Sequence, residues 1–564
     1  MSDRKSYIGT NFGHSSSSCL VSNEGMLKFA VEEDRLIKEK HTAKFPLQGL
    51  QMISGCNLLE NDIVYAEGWH LNKRLIKKGI LHTLKYWDDH NYYRFRFKNE
   101  WRRFNEGKKL YVRYGRFLFC GHHLAHAYSL LPCGLPKNSL IFVSDTIGES
   151  ESISFFYWDG AMRRVRVIPY PHSPGSVFHQ FAWHLGFSGR TGPGKLMALS
   201  GYGEPVWVDD LERFSRVKNG NLKIDLAHYP AHRLKDAPDR FILKNPELPL
   251  ARELALCKNN YAAGLNIAAS IQKWFEENSW KVLAQNIDYV RNKLRLPVDH
   301  VGLAGGAALN CQANGMFLRR LPAHAVSGMT VSPFSDDSGA SVGAAMWAFV
   351  KNNPGITIPK ASAFLGPPAF SSHPFVAPAD EALAVAAKAI LGGALVALVS
   401  GRMEFGPRAL GGRCILADAF DRSSVQKLNS CKSRPGFMPF APAVLEEDFE
   451  ALFQGIGSEH MAWTVKATDN AKLLAPAAVH VTGEARVQVV VPENKLLYNL
   501  LKQIKRLRGI GVVLLTSLNA AGKTIPVDYE DALATSAELG LEGILSDSGW
   551  TSPLMIENNL SRRD

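Results

Sequence analysis

Residues 140–168 read LIFVSDTIGESESISFFYWDGAMRRVRVI, and this stretch decides the fold of the 564-residue chain. The apolar run 140–143 predicts a strand, and Asp145 opens the turn that follows it. Residues 153–157 and 163–168 predict two further strands, separated by a second turn. The stretch therefore predicts a module of three antiparallel strands with a carboxylate at the end of its first strand.

The same module occurs roughly 130 residues earlier in the chain. Residues 7–11, 19–21 and 27–31 alternate apolar and small side chains as strands do, and His14 follows the first of them as Asp145 follows its own strand. An internal duplication of this kind is typical of actin-like (ASKHA) phosphotransfer folds, in which two halves clamp a nucleotide. We therefore predict an α/β chain with a duplicated actin-like N-terminal domain.

Three histidines lie between the two modules, in Gly121-His122-His123-Leu124-Ala125-His126-Ala127. On a helix, the i,i+4 spacing of His122 and His126 places both rings on one face. Two neutral imidazoles that converge in this way suit a divalent transition metal. The alternative is a polar helix start whose histidines only cap or contact solvent, and the motif alone does not separate the two.

Two turns further along the chain add candidate ligands. A predicted strand ends in Gly305 and Gly306, where a backbone can approach a ligand closely and aim N–H groups at it, and Asn310 follows. Asp336 and Asp337 precede a predicted helix of small residues. One aspartate would cap that helix, so the second is free to bind metal or order water.

The composition is that of an ordinary globular protein, with 46% hydrophobic and 21% charged residues. The longest weakly polar run, residues 389–400, is too short to span a bilayer, and the N-terminus lacks the apolar core of a signal peptide. The eight cysteines form no CxxC pair, which favours reduced thiols and argues against a cysteine-type zinc site. We therefore expect a cytoplasmic protein without a membrane segment.

The net charge of +12 is concentrated in residues 73–116, which carry 14 Lys and Arg against 4 Asp and Glu, interleaved with aromatic residues. Such interleaving can bind nucleic acid. The charges do not cluster in one run, so we favour a basic helical insertion that packs its aromatic side chains inward. An anionic acceptor or an acidic partner is a third interpretation.

Six prolines between residues 354 and 378 mark the clearest linker in the chain. A helix over 381–391 and a strand over 394–399 are predicted to follow it. Five cations then occur at glycine turns and strand ends, near hydroxyl and amide side chains: Arg402, Arg408, Lys432, Arg434 and Arg486. Guanidinium and ammonium groups in that setting suggest an oxyanion or phosphate site.

Six motifs stand out: HHLAHA (122–127), GKLMALSGYG (194–203), LAGGAALNCQANG (303–315), GRMEFGPRALGGRCILAD (401–418), PFAP (439–442) and EARVQ (484–488). Together they resemble the NodU/CmcH-type carbamoyltransferase family, which includes tobramycin and cephem O-carbamoyltransferases. The resemblance implies an actin-like carbamoyl-transfer domain over residues 1–355, the basic insertion within it, a linker over 356–380 and a YrdC-like domain over 381–564.

The resemblance also implies an ATP-dependent O-carbamoyltransferase. The YrdC-like domain would convert carbamoyl phosphate and ATP into carbamoyl-adenylate. The actin-like domain would transfer the carbamoyl group to a hydroxyl of a small specialised metabolite, as in antibiotic biosynthesis. A divalent metal, Fe²⁺ by analogy with the family, would assist the transfer, and Mg²⁺ would accompany ATP. No membrane or nucleic-acid partner is implied, and a homodimer is allowed.

Individual residues are assigned by the same resemblance. The metal ligands would be His122, His126 and Asp337, matching two histidines and one carboxylate. His14 would act as general base or orienter for the acceptor hydroxyl, with Lys40 and Asp145 lining the same site. The nucleotide would contact Gly305, Gly306 and Asn310. Carbamoyl phosphate and ATP would be bound in the C-terminal domain by Arg408, Lys432, Arg434, Arg486, Ser517 and Asn519.

One departure concerns the carbamoyl phosphate site. The family usually reads FRPFAP, and Met438 occupies the arginine position here. A thioether cannot replace a guanidinium, so another cation compensates, or the acyl donor differs, or this half of the enzyme is weakened. The alternative function therefore keeps the two-domain machinery with an amine acceptor or another acyl donor. A lesser alternative is an RNA-binding or tRNA-modifying protein.

Overall fold

The structure is a computed structural model that describes residues 6–11, 15–54, 63–67, 117–148, 150–233, 236–370 and 380–552. The chain forms two compact units. The N-terminal unit comprises Met1–Glu33 and His41–Ala361, and the C-terminal unit comprises Asp34–Lys40 and Ser362–Asp564. The later division falls inside the proline-rich segment for which the sequence predicts a linker. The short segment Asp34–Lys40 had no such signal.

The N-terminal unit is a mixed α/β structure. Its strands are β1 (Ser6–Asn11), β2 (Ser17–Val21), β3 (Leu27–Glu32), β4 (Ile63–Glu67), β5 (Phe117–Phe119), β6 (Ser139–Ser144), β7 (Glu151–Trp158), β8 (Met162–Pro169), β9 (Ser215–Lys218), β10 (Asn221–Ile224), β11 (His300–Ala304) and β12 (Gly328–Val331). Its helices are α1 (Glu33–Ile37, which runs on into the C-terminal unit), α2 (Leu47–Ser54), α3 (His122–Tyr128), α4 (Pro174–His184), α5 (Gly192–Leu199), α6 (Val208–Glu212), α7 (Ala237–Lys244), α8 (Pro249–Cys257), α9 (Leu265–Asn292), α10 (Cys311–Arg320) and α11 (Gly339–Asn352).

Two five-stranded sheets of this unit share one topology. Their strand orders are β3-β2-β1-β4-β5 and β8-β7-β6-β11-β12, and in each the first three strands are antiparallel while the last two run parallel to the central strand. The three-strand modules predicted from the sequence are therefore confirmed as strands. A duplication as their origin stays a prediction.

The parallel pairing of β6 with β11 determines which loops meet. Val143 lies opposite Ala304, so Asp145 and Gly305 leave the sheet at the same carboxyl edge. Both β6 and β7 are buried along their whole length, as expected of strands covered on both faces. The sheet that contains β6 and β11 is therefore apolar in its interior and carries polar residues at its carboxyl edge.

Helix α11 packs closely against both β1 and α3. A Cβ on Gly9 of β1 would lie 1.9 Å from the carbonyl oxygen of Ser341, and a Cβ on Gly343 would lie 1.7 Å from that of Ala125. Only glycine permits backbones to approach this closely. The approach brings the start of α11, just after Asp337, next to the histidine helix α3.

The C-terminal unit contains a seven-stranded mixed sheet and two smaller sheets. Its strands are β13 (Phe364–Pro368), β14 (Val396–Val399), β15 (Arg402–Glu404), β16 (Arg413–Asp418), β17 (Ala441–Leu445), β18 (Phe453–Gln454), β19 (Val465–Ala467), β20 (Glu484–Ala485), β21 (Gln488–Val490), β22 (Val512–Ser517), β23 (Ile544–Ser546) and β24 (Gly549–Thr551). Its further helices are α12 (Asp380–Leu391), α13 (Ser423–Cys431), α14 (Phe449–Leu452), α15 (Asp469–Leu474), α16 (Lys495–Arg508) and α17 (Tyr529–Glu538). The large sheet has the order β21-β17-β22-β16-β14-β23-β24, beside smaller sheets β13-β15 and β18-β19-β20.

Several further expectations can be compared with these elements. Helices are present where the sequence predicts them, at the histidine stretch, after Asp337 and over 381–391. Among the described residues the cysteines are free, and no helix is long and apolar enough to cross a membrane. The basic segment 73–116 lies outside the described residues.

Candidate functional site

Helix α3 presents the two predicted imidazoles side by side. It begins at His122, directly after the extended residue Gly121, and both rings are buried at 1% exposure or less. The Nε2 atoms of His122 and His126 lie 3.2 Å apart. The spacing of the two residues in the sequence therefore produces the convergence it predicts, and the solvated alternative is wrong.

Two carboxylates complete the cluster. Asp145 follows β6, and its Oδ2 atom lies 3.4 Å from Nε2 of His122 and 3.6 Å from Nε2 of His126. Asp337 precedes α11, and its Oδ1 atom lies 3.5 and 3.9 Å from the same two nitrogens. One donor atom from each of the four residues falls within 4.8 Å of every other. The structure thus adds Asp145 to the three ligands that the resemblance assigns.

The donor set fits a divalent metal ion. Ligand atoms held at about 2.1 Å from one ion lie roughly 3–4 Å from each other, which is the spacing seen between these nitrogens and oxygens. Two imidazoles and two carboxylates suit iron, manganese or zinc alike, so the cluster does not choose among them. A backbone N–H from Thr146 donates to Asp145 Oδ1 at 2.7 Å and leaves Oδ2 turned toward the histidines.

The charges of the four residues are mutually dependent. Burial lowers the pKa of His122, but its hydrogen bonds to Asp145 and Asp337 raise that pKa to about 10. Burial alone would raise the pKa of Asp145, yet the bonds to His122 and His126 hold it well below its usual range. A buried carboxylate, Asp145, and a partly exposed one, Asp337, therefore favour a positive charge between them, which a proton or a metal ion can provide.

Neighbouring polar groups hold both carboxylate loops in place. The amide of Asn11, at the end of β1, donates to the carbonyl oxygen of Asp337 at 2.8 Å. The hydroxyl of Ser173, the N-cap of α4, donates to the carbonyl oxygen of Asp145 at 2.6 Å. The positions of the ligands are thus fixed by elements from both five-stranded sheets.

His123 is not part of the cluster. Its ring is fully buried, and Nδ1 lies 2.8 Å from the hydroxyl oxygen of Ser154 on β7. Burial lowers the pKa of His123 well below its ordinary value, so the ring is neutral. Its contacts are those of a packing residue.

The predicted nucleotide residues lie at the same sheet edge. A Cβ on Gly306 would be 3.1 Å from Asp145 Oδ1, which places this turn next to the cluster. Asn310 is the N-cap of α10: its Oδ1 accepts from the N–H of Ala313, and its amide exchanges hydrogen bonds with Gln272 at 2.9 and 3.1 Å. The Asn310 side chain therefore orients the turn, and nucleotide contact by all three residues stays a prediction.

Two of the predicted catalytic residues are not placed in this cluster. His14 lies outside the described residues. Lys40 belongs to the C-terminal unit, where burial and the charge of Arg434 lower its pKa and the charge of Asp34 raises it. A role for either residue beside Asp145 stays a prediction.

A second polar site lies in the C-terminal unit around Lys432. The ammonium is only 2% exposed and donates to the carbonyl oxygens of Ser517 and Asn519, at 2.6 and 2.5 Å, and to Asn519 Oδ1 at 2.7 Å. Burial, then the charge of Arg434, lowers the pKa of Lys432 to about 6. The predicted trio of Lys432, Ser517 and Asn519 is therefore one hydrogen-bonded unit at the end of β22.

Arg434 and Arg486 lie beside the hydrogen-bonded trio of Lys432, Ser517 and Asn519. Burial and the charge of Arg486 lower the pKa of Arg434, whose guanidinium reaches Thr516 Oγ1 at 3.4 Å and lies 5.9 Å from the Phe440 ring centre. The Nε atom of Arg486 is buried and has no hydrogen-bond partner among the described residues. The described residues thus bring Lys432, Arg434 and Arg486 together, as expected of an anion site.

Arg408 lies half-buried in the loop 405–412, and the sequence reasoning missed what shapes this loop. Glu404 is fully buried, and its Oε1 accepts from the N–H groups of Leu410, Gly412 and Arg413 at 2.8, 3.3 and 3.4 Å. The only signal in the sequence is an acidic residue within an otherwise apolar and glycine-rich run.

Two arginines near this loop have structural roles. Arg413 is fully buried and donates to the carbonyl oxygens of Ser400 and Gly412 at 2.9 and 2.8 Å, and to that of Val527. Arg402, counted among the anion-binding cations in the sequence, donates to the carbonyl oxygens of Leu365 and Gly366 and so joins β15 to β13. Its contacts are structural.

Comparison with known proteins identifies the family. Residues 7–346 match the family described as carbamoyltransferase N-terminus, and residues 387–551 match that described as carbamoyltransferase C-terminus. The chain therefore belongs to the carbamoyltransferase family, and the predicted enzyme class is confirmed.

Relatives span most of the chain. It is 28% identical to 3'-hydroxymethylcephem-O-carbamoyltransferase of Streptomyces clavuligerus, over 72% of this chain and 75% of that protein. It is 28% identical to nodulation protein NolNO of Sinorhizobium fredii, over 96% of this chain and 79% of that protein. A solved structure of full-length HypF matches with a TM-score of 0.36 and 13% identity, over 62% of this chain and 47% of that one. Because a TM-score of 0.36 is too low to support an argument, the description of the fold rests on the strand order of this structure.

Proposed function

We propose that this chain is an ATP-dependent O-carbamoyltransferase that uses carbamoyl phosphate and acts on a hydroxyl of a small specialised metabolite. The C-terminal unit forms carbamoyl-adenylate, and the N-terminal unit transfers the carbamoyl group. Family membership supports carbamoyl transfer, and two relatives are named as O-carbamoyltransferases of a hydroxymethyl compound. The acceptor of this chain is not specified by those names.

One observation carries the proposal: the second polar site is cationic, with Lys432 buried and Arg434 and Arg486 half-buried. Burial and the charge of Arg434 lower the pKa of Lys432, and burial and the charge of Arg486 lower the pKa of Arg434. Such crowding of like charge is costly unless an anion is bound. Phosphate groups of carbamoyl phosphate and ATP provide that anion. The site is therefore suited to a reaction whose first substrates, carbamoyl phosphate and ATP, both carry phosphate groups.

The first step forms carbamoyl-adenylate in the C-terminal unit. Water cleaves carbamoyl phosphate to carbamate and phosphate, and a carbamate oxygen then attacks the α-phosphorus of ATP. The new O–P bond forms as the bond to pyrophosphate breaks. Arg434 and Arg486 would neutralise the phosphate oxygens, and the Lys432 ammonium, held by Ser517 and Asn519, would stabilise charge on the migrating carbamate.

The second step consumes the adenylate. The acceptor oxygen attacks the carbamoyl carbon, its proton passes to a base, for which His14 is the candidate, and AMP leaves with the electrons of the broken C–O bond. A metal held by His122, His126, Asp145 and Asp337 would supply Lewis-acid stabilisation of the departing phosphate. Iron is the metal that the resemblance implies. The backbone at Gly305 and Gly306 would face the nucleotide, because it lies at the same sheet edge.

Isotope exchange tests the two halves separately. The full-length protein with Fe²⁺, MgATP and carbamoyl phosphate should catalyse ATP–pyrophosphate exchange that depends on carbamoyl phosphate. Arg434→Met should abolish the exchange, whereas Asp145→Asn should leave it intact and stop AMP release. Asp159→Asn serves as the matched control, because this half-exposed carboxylate pairs with Arg163 on a surface turn. Wild-type protein without exchange would overturn the proposal.

Met438 favours a second candidate function, with a different small acid as acyl donor or an amine as acceptor. The residue is half-buried, and its loop is fixed because the Asn429 amide donates to the Met438 carbonyl oxygen at 3.0 Å. No guanidinium is available at this position. Pyrophosphate release screened over small carboxylic acids separates the two candidates, and Met438→Arg should raise activity with carbamoyl phosphate if only the donor has changed.

A further inference from the structure

Arg190 lies in the loop that joins α4 to α5 in the N-terminal unit, and its side chain is half-buried. The N–H of Gly192 donates to the carbonyl oxygen of Gly189 at 3.2 Å, which closes a turn with Arg190 at its second position. Gly189 has a φ of 74°, a left-handed conformation that glycine adopts without strain. The turn therefore holds the backbone of Arg190 in a defined position.

The Arg190 guanidinium contacts a turn that lies next to the metal cluster. Its Nη1 atom donates to the hydroxyl oxygen of Ser15, a buried residue. The amide of Asn11 donates to the carbonyl oxygen of Ser15 at 3.2 Å and to that of Asp337 at 2.8 Å. A single side chain, that of Asn11, therefore bridges the residue that Arg190 contacts and a candidate metal ligand.

This contact lies on the accessible side of the cluster. The two imidazoles are 1% exposed or less, the side chain of Asp145 is 12% exposed, and that of Asp337 is 22% exposed. Burial alone would raise the pKa of Asp337, but the hydrogen bond to His122 and further charges that include Arg190 lower it. A substrate that reaches the cluster past Asp337 therefore comes close to the Arg190 guanidinium.

Most of the hydrogen-bond donors of Arg190 are available to a ligand. A guanidinium carries five N–H donors, and within the described part of the chain the Ser15 hydroxyl is the hydrogen-bond partner of this one. The fork of donors matches two oxygens of a phosphate group. A guanidinium beside a divalent metal site is a combination that stabilises negative charge on phosphate oxygens.

We propose that Arg190 is a substrate-binding residue of the transfer site, where its guanidinium contacts the phosphate group of carbamoyl-adenylate. The inference rests on the proposed function of the N-terminal unit. When the acceptor oxygen attacks the carbamoyl carbon, the C–O bond breaks and its electron pair leaves on a phosphate oxygen of AMP. The contact with Arg190 strengthens as that charge develops, so it favours the step as well as the binding.

The test uses full-length protein and four variants. Arg190→Met removes the charge, Arg190→Lys retains it, Ser15→Ala removes the hydrogen-bond partner, and Arg163→Met is the control, an exposed arginine of the same unit. The first measurements are AMP release and ATP–pyrophosphate exchange. The second is calorimetric binding of AMP and of adenosine, made with Arg434→Met added to each protein so that the C-terminal anion site does not contribute.

We expect Arg190→Met to slow AMP release at least tenfold and to leave the exchange unchanged, because the exchange reports on the C-terminal unit. The same change should raise the Kd of AMP about tenfold and leave the Kd of adenosine, which lacks the phosphate, unchanged. Arg190→Lys and Ser15→Ala should stay within about threefold of wild type for AMP, and Arg163→Met within about twofold.

Three results would overturn the inference. The first is an unchanged AMP affinity in Arg190→Met, and the second is an equal loss of affinity for AMP and adenosine, since the phosphate would then not be the group bound. The third is an equal loss in Ser15→Ala and Arg190→Met, because the effect would then come from the turn at Ser15. Wild-type protein without exchange would refute the proposed function, while the AMP and adenosine affinities would still decide on Arg190.

Discussion

Replacing Glu404 with alanine should destabilise the loop 405–412 by about 3 kcal/mol. The carboxylate is fully buried, and its Oε1 accepts one short hydrogen bond from the Leu410 N–H at 2.8 Å and two longer ones, from Gly412 and Arg413, at 3.3 and 3.4 Å. A charge-assisted bond of normal length contributes about 2 kcal/mol, and each long bond roughly 0.5 kcal/mol. The sum exceeds the typical effect of a surface substitution several-fold.

Hydrogen exchange measured by mass spectrometry checks this value locally. A loss of about 3 kcal/mol should speed exchange of the Leu410 amide by roughly 150-fold, if the loop opens by itself. Glu404→Gln keeps an acceptor oxygen and should cost about 1 kcal/mol. Glu447→Ala is the control, since this exposed acid of the same unit pairs with Lys502 and Lys505. Exchange within threefold of wild type in Glu404→Ala would refute the reasoning.

Three further predictions concern the two sites. His122→Ala should lower the affinity for Fe²⁺ or Zn²⁺ at least tenfold, measured as metal retained on dialysis, with the exposed His228→Ala unchanged; equal retention in both would contradict the metal site. Burial lowers the pKa of Lys432 to about 6, so its positive charge is lost as the pH rises and the affinity of the wild-type protein for sulfate should fall between pH 5 and 8. A Lys432→Met variant whose sulfate affinity depends on pH in the same way would contradict this assignment. Asn310→Ala should cost about 1 kcal/mol in urea unfolding through the lost cap on α10, whereas Asn310→Asp, which can still cap, should cost less; equal losses would show that the cap is not the cause.

Local patterns in the sequence were sufficient to predict those features of the structure that depend on residues close together along the chain. The i,i+4 spacing of His122 and His126 predicted a shared helix face, because a helix turn fixes that geometry regardless of the rest of the fold. The alternation in residues 140–168 predicted three strands for the same reason. The family resemblance then assigned Lys432, Ser517 and Asn519 to one site, and the structure joins them by hydrogen bonds.

Only the tertiary structure decided which distant residues meet. Asp337 meets the histidines because α11 packs against α3, and Asp145 meets Gly305 because β6 pairs with β11; neither contact is encoded in a local pattern. Glu404 organises a loop through backbone N–H groups, which carry no sequence signal. Lys40 belongs to the C-terminal unit because Arg35, five residues before it, is buried against two carbonyl oxygens there. The sequence determined the elements and the chemistry available, whereas long-range packing determined which groups share a site.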